Sequence, residues 1–340
     1  MLFRSGASLP FLGFFGRMTD RRGGYLLMAV GCVPAGLSLV GVGLLSDSWH
    51  DLVWLLALGG VGNAAIQPGA NGMLASRVAP GHRGLAFGVK QAAIPMAAMV
   101  SGLAVPPAAS WAGWRPAFVV AGVAMLVVGC LLARHHDADG ATAGPGVPAA
   151  VVLRRRPLLM LGIATCLASG AATTLGTYFV LSATRSGMAL VTAGSVAAIG
   201  GACSVLVRIG LGAVADRGLR SPLRQVALMM LVGAGGYVLL ALSVPALLVP
   251  GVLIAYGAGW GWAGLLNYGV VQRYPLAAGA ATSTTQMGTN IGAMAGSPVF
   301  ALIAASRGYA SAWSAMAALA LLGGVVVLRD GRELAAVNNV

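Results

Sequence analysis

The chain has 340 residues, of which 58% are hydrophobic and only 9% charged. A soluble domain carries about 25% charged residues, so a water-facing globule of this size is excluded and lipid is the simpler solvent. The net charge of +13 arises from 21 Lys and Arg against 8 Asp and Glu, yet no stretch interleaves basic with aromatic residues as a nucleic-acid surface does, and no nucleic-acid partner is expected.

Apolar runs of membrane-spanning length recur along the chain. The first, Met1 to Phe15, reaches only ~22 Å at 1.5 Å per residue. It is read as a short helix, Ser5–Gly16, whose beginning precedes the chain. Tyr25–Leu45, Leu52–Ser76, Leu85–Ala109 and Pro116–Ala133 follow. A polar stretch, 134–156, holds His135, His136, Asp137, Asp139 and the triplet Arg154, Arg155 and Arg156. Its Gly/Pro/Ala-rich middle cannot build a core, and it is expected to be a cytoplasmic linker. Then come Leu158–Ala183, Val191–Ala215, Arg224–Ser243, Leu247–Gln272, Ala278–Ala305 and Ser311–Leu328. The expectation is an all-α polytopic membrane protein with about 11 helices. Its parts are a bundle at 1–133, a linker at 134–156, a bundle at 157–328 and a tail at 329–340.

Charge sets the orientation. With the first helix running inward, 15 of the 21 cations lie on the inner side, 4 on the outer side, and Lys90 and Arg208 within spans. Inner loops rich in Arg are the positive-inside pattern, so the linker and C-terminus are expected in the cytoplasm and the protein in the plasma membrane. The four cysteines, Cys32, Cys130, Cys166 and Cys203, are scattered in apolar runs. No metal or redox spacing exists among them, and neither metal nor cofactor is expected.

The two bundles echo each other. Gly16 with Asp20 and Arg21 recurs as Gly212 with Asp216 and Arg217, 196 residues on. Asn71 with Arg77 recurs as Asn267 with Arg273 at the same offset, and Gly84 with Gln91 recurs as Gly279 with Gln286 at an offset of 195. Three ordered matches at nearly one offset point to duplication, a known plan for transporters. The second repeat holds six spans and the first five, so the parent has six plus six, and this chain is expected to lack helix one and the start of helix two.

Residues 16–23, Gly-Arg-Met-Thr-Asp-Arg-Arg-Gly, resemble the loop motif G-x-x-x-D-R-x-G of the major facilitator superfamily. Gly212 to Arg220 resembles its degenerate second copy, with the second Gly displaced by one residue. The resemblance implies two helical bundles that rock about a central site. It also implies that Gly16, Asp20, Arg21, Gly212, Asp216 and Arg217 form a conformational latch. Independently of it, glycine lets a helix end approach a neighbour closely, and a carboxylate there can meet a helix N-terminus. The drug-antiporter signature G-x-x-x-G-P-x-x-G-G is absent from the stretch Gly88–Pro107.

Charges within spans are costly and point to function. Lys90 either snorkels to the inner surface or faces a cavity and binds an anion. Arg208 is assigned a structural role in support of the second loop motif, with anion binding in reserve. Further cavity candidates are Asn63, Gln67 and Asn71, at spacing four on one helix face, with Gln91, Thr177, Tyr178, Trp260, Asn267, Gln286 and Asn290. No Asp, Glu or His lies mid-span, and no HExxH motif or phosphate loop is present, which disfavours an enzyme. The expected function is secondary transport of a small anionic or polar organic solute. The expected partners are the bilayer and that solute, with a coupling proton or ion left open. Efflux of amphipathic drugs, favoured by Trp260 and Trp262, and a non-transporting sensor or remnant are the alternatives.

Overall fold

A computed structural model describes residues 2–111, 113–135, 155–218 and 221–336, with side chains described for 6–100, 113–135, 156–218 and 221–329. Most of the expected linker, including His136, Asp137, Asp139 and Arg154, lies outside the described residues, as do Arg220 and the end of the tail.

The described residues form helices and no strand. They are α1 (Leu2–Arg22), α2 (Gly24–Leu45), α3 (Trp49–Arg77), α4 (Arg83–Trp111), α5 (Arg115–Ala133), α6 (Arg155–Arg185), α7 (Leu190–Asp216), α8 (Pro222–Ala241), α9 (Pro245–Ile254), α10 (Ala263–Arg273) and α11 (Ala278–Ala336). One π-helical turn, Ala255–Gly259, joins α9 towards α10 into a single interrupted span. The element α11 is two helices meeting at Gly308, whose φ of 83° turns the chain where a side chain would be strained. With α9–α10 counted as one and α11 as two, the described residues hold eleven helical segments, in keeping with the about 11 helices expected. The first is longer than expected. It continues past Gly16 to Arg22, so Asp20 sits in the last helical turn and not in a loop.

Eight segments of the described chain are long and apolar enough to cross a bilayer. Many outward-facing side chains are large and apolar. On α5 they include Val120, Val123, Val127, Val128 and Leu131, and on α7 Val191, Ile199 and Leu206. In water such a surface would associate; in hydrocarbon it costs nothing.

The chain packs as two compact units. The first comprises Met1–Val78, Val100–Arg154 and Val270–Met287; the second comprises Ala79–Met99, Arg155–Gly269 and Gly288–Val340. In the first, α2 packs on α3 and α5, and α1 on α3. Ser48 caps α3 by a capping box with Asp51, and Arg115 pairs with Asp47 at 2.8 Å. In the second, Phe300, Trp313 and Tyr237 are fully buried, and the indole N–H of Trp313 donates to Ser182 Oγ at 2.9 Å.

Small residues set a close helix approach in the second unit. Gly288, Gly292 and Gly296 on α11 face Gly162, Cys166 and Gly170 on α6, each set at spacing four. A methyl on Gly292 would press on the carbonyl of Cys166 and lie 2.9 Å from the backbone nitrogen of Gly170. Backbone cannot rotate away, so Gly292→Leu must separate the helices. Overpacking costs about 1–3 kcal/mol, occasionally more. A fall in the thermal unfolding midpoint in detergent of several degrees is expected, with little change for Gly176→Leu, where nothing lies within 4 Å. Equal midpoints for the two variants would contradict this packing.

Candidate functional site

The two copies of the loop motif occupy matching positions. Asp20 ends α1, and its carboxylate accepts from the N–H of Gly279 at 2.7 Å and of Ala280 at 2.9 Å. These donors open α11, just after a 3-10 turn at Pro275–Ala277. The first amides of a helix have no internal acceptor, and the helix dipole favours an anion there. All these residues lie in the first unit.

The second unit repeats the arrangement. Asp216 ends α7, and its carboxylate accepts from the N–H of Gly84 at 2.7 Å and of Leu85 at 2.8 Å. These donors open α4, after a 3-10 turn at Pro80–His82. Each clasp is closed by a reciprocal pair of glycines. A Cβ on Gly16 would lie 2.8 Å from the Gly279 oxygen, and one on Gly279 2.6 Å from the Gly16 oxygen. Gly212 and Gly84 meet each other's carbonyls in the same way. Arg21 and Arg217 are exposed beside the clasps. Gly84, Leu85, Gly279 and Ala280 were not singled out as donors from sequence. The signal was there, because Gly84 and Gly279 repeat at almost the offset that relates Asp20 to Asp216.

Arg208 is buried at 2% exposure. Its Nη1 donates to the carbonyl of Gln91 on α4, and its Nη2 to the carbonyl of Trp260, just after the π turn, at 2.6 Å. The Trp260 ring lies against the guanidinium, 5.4 Å from centroid to Cζ. Asp216, which Arg208 was expected to support, is engaged by α4 amides instead. The break in the α9–α10 span explains these partners. A π turn disturbs the helical hydrogen-bond ladder, and the Trp260 carbonyl turns to Arg208. The Gly259 carbonyl accepts from the Trp262 indole N–H at 2.9 Å. Glycines of α8 seat the turn closely: a Cβ on Gly236 would lie 2.6 Å from the nitrogen of Ala255.

The remaining candidates divide between the units. Asn63, Gln67 and Asn71 on α3, with Gln286, belong to the first; Asn71 is buried and the others half-buried. Lys90, Gln91, Thr177, Tyr178, Trp260, Asn267 and Asn290 belong to the second. There Gln91, Asn267 and Asn290 are buried, Lys90 is half-buried and Thr177 exposed. Tyr178 has a packing role, donating to the Ser297 carbonyl at 3.1 Å and stacking on Phe300 at 4.6 Å. Of these candidates the structure brings Gln91, Arg208 and Trp260 into one contact. A groove of about 520 Å³ beside the π turn, lined by residues such as Cys203, Val207, Leu228 and Met229, includes none of them.

Residues 2–286 match the sequence profile described as Major Facilitator Superfamily. No curated protein matches the chain significantly. Among solved structures, the human organic anion transporter MFSD10 is similar at TM-score 0.72 and 16% identity, over 96% of this chain and 83% of that one. The E. coli fucose:proton symporter FucP is similar at TM-score 0.72 and 13% identity, over 97% of this chain and 89% of that one. The proton:xylose symporter XylE is similar at TM-score 0.70 and 13% identity, over 96% and 84%. At these identities the likeness is one of fold.

Proposed function

The chain belongs to the Major Facilitator Superfamily, and from that premise we propose that it moves a small anionic or polar organic solute by alternating access, with the two aspartate clasps as its latch. The protein is an integral membrane protein of a transporter family and not an enzyme. The solved relatives are described as carriers of an organic anion, fucose and xylose, so fold alone leaves the cargo open.

One observation carries the latch reading. Each clasp joins an end of one sequence repeat to a helix start of the other, Asp20 to Gly279 and Ala280, and Asp216 to Gly84 and Leu85. Bundles 1–133 and 157–328, joined by the linker, can part at that end only if both carboxylates release their amides. The inner-side excess of arginine supports a cytoplasmic position for this end, the linker and the C-terminus. Drug efflux draws less support, because Trp262 is buried and its indole N–H is tied to the Gly259 carbonyl.

The test is a solute screen in proteoliposomes, with small carboxylates, phosphate and neutral sugars as probes. A specific saturable flux is expected for one class. Lys90→Ala is expected to weaken anionic solutes by about tenfold, the order of one lost charge-assisted contact, while sparing neutral ones. Equal loss for both would make Lys90 structural, and absence of any flux would favour the non-transporting reading.

A further inference from the structure

Arg208 and Ser204 lie one turn apart on α7, at 2% and 0% exposure. Each keeps a buried polar atom without a partner: Nε of Arg208 and Oγ of Ser204. The guanidinium has five N–H donors, and its two identified acceptors are neutral carbonyls. The acidic group nearest in sequence, Asp216, is eight residues on, about 12 Å along the helix. It already accepts from Gly84 and Leu85. The ion pair found among the described residues, Arg115 with Asp47, belongs to the other unit. Arg208 thus holds a full charge among dipoles and one aromatic face. Burying an ion is costly unless it is paired, and an unmet buried donor adds to that cost. A tie between two helix carbonyls needs no such charge.

Ser204 is unusual in the same direction. A serine within an apolar helix commonly donates back to the carbonyl of the preceding turn. On the same helix Ser195 does so, to Val191 at 2.9 Å. Ser204 does not. Its hydroxyl and the Arg208 Nε lie on one helix face, at the i, i+4 spacing that brings side chains together.

We propose that Arg208 and Ser204 recognise the transported solute, and that this solute is a small monoanion bearing a carboxylate or comparable oxyanion. One oxygen takes the Arg208 Nε–H and another the Ser204 hydroxyl, with the organic part against the Trp260 and Tyr256 rings, which lie 5.7 Å apart. Here both donors are closed off, and the carbonyls of Gln91 and Trp260 hold the guanidinium. The solute reaches it when α4 or the π turn shifts and releases a carbonyl. The π turn is suited to this, because its ladder is already interrupted. The proposal rests on the transporter reading above and names the chemistry of its cargo.

The test is binding by purified full-length protein in neutral detergent, delipidated so that no headgroup phosphate competes. Acetate, benzoate and inorganic phosphate are titrated against thermal unfolding, with acetamide and benzamide as neutral counterparts. A saturable rise in midpoint is expected for at least one anion and for neither amide. Arg208→Gln is expected to weaken that binding at least tenfold and Ser204→Ala three- to tenfold. If Arg208→Gln fails to fold, Ser204→Ala carries the test, since it removes one oxygen. No anion-dependent shift in the wild-type protein, or unaltered affinity in Ser204→Ala, overturns the proposal. Saturable flux of neutral solutes without anion binding removes this site and leaves the transporter reading. Anion binding without flux of any solute does the reverse.

Discussion

Replacing Asp20 by Asn is expected to lower solute flux about tenfold or more while leaving the amount of protein in the membrane unchanged. The carboxylate accepts two backbone N–H groups, at 2.7 and 2.9 Å, one on each oxygen. An asparagine keeps one acceptor and turns an NH2 group towards the second amide. Hydrogen bonds to charged groups are worth about 1.5–3 kcal/mol, and 1.4 kcal/mol is tenfold in an equilibrium. If both clasps bias the same closed state, losing one shifts that state by roughly 10- to 100-fold, and a carrier that dwells in one conformation turns over slowly. Asp216→Asn should act in the same sense through Gly84 and Leu85. The measurement is initial flux in proteoliposomes, normalised to reconstituted protein. An unchanged rate for both variants would leave the two aspartates as charges that merely set topology.

The span pattern and the paired motif residues Gly16 with Asp20 and Gly212 with Asp216 were legible because each leaves a trace in residue type. Hydrocarbon demands long apolar runs, and a repeated backbone geometry demands glycine at the repeated place. What was not legible was the partner of each trace. Asp20 reads as a loop charge until α1 is seen to run on to Arg22, and the donors to its carboxylate are backbone amides that any residue could supply. The family resemblance ties Arg208 to the second loop motif, whose Asp216 lies eight residues further along. Its actual partners are carbonyls of Gln91 and Trp260, fixed by a π turn that no residue pattern announces. Ser204 went unnoticed for a related reason. A serine in an apolar helix is ordinary, and only the missing bond to the preceding turn distinguishes it from Ser195.

The largest single effect is expected at Gly212. A Cβ there would press on the Gly84 carbonyl oxygen and lie 3.0 Å from the Gly84 carbonyl carbon and 3.2 Å from the Leu85 Cα. All three are backbone atoms, so no rotamer change relieves the contact. Gly212→Val must push α7 away from the start of α4. Asp216, four residues on, then loses the amides of Gly84 and Leu85, so one substitution removes both the close approach and the clasp. Overpacking costs about 1–3 kcal/mol and the lost bonds about as much again, enough to lower the unfolding midpoint by several degrees and flux to a few per cent. Gly212→Ala should fall between. The control lies two residues away: Gly210 has nothing within 4 Å of its would-be Cβ. Gly210→Val adds the same β-branched side chain to the same helix, with the same small propensity cost. If the two valine variants prove equally impaired, the damage comes from the helix and not from the contact with α4, and the clasp loses its structural basis.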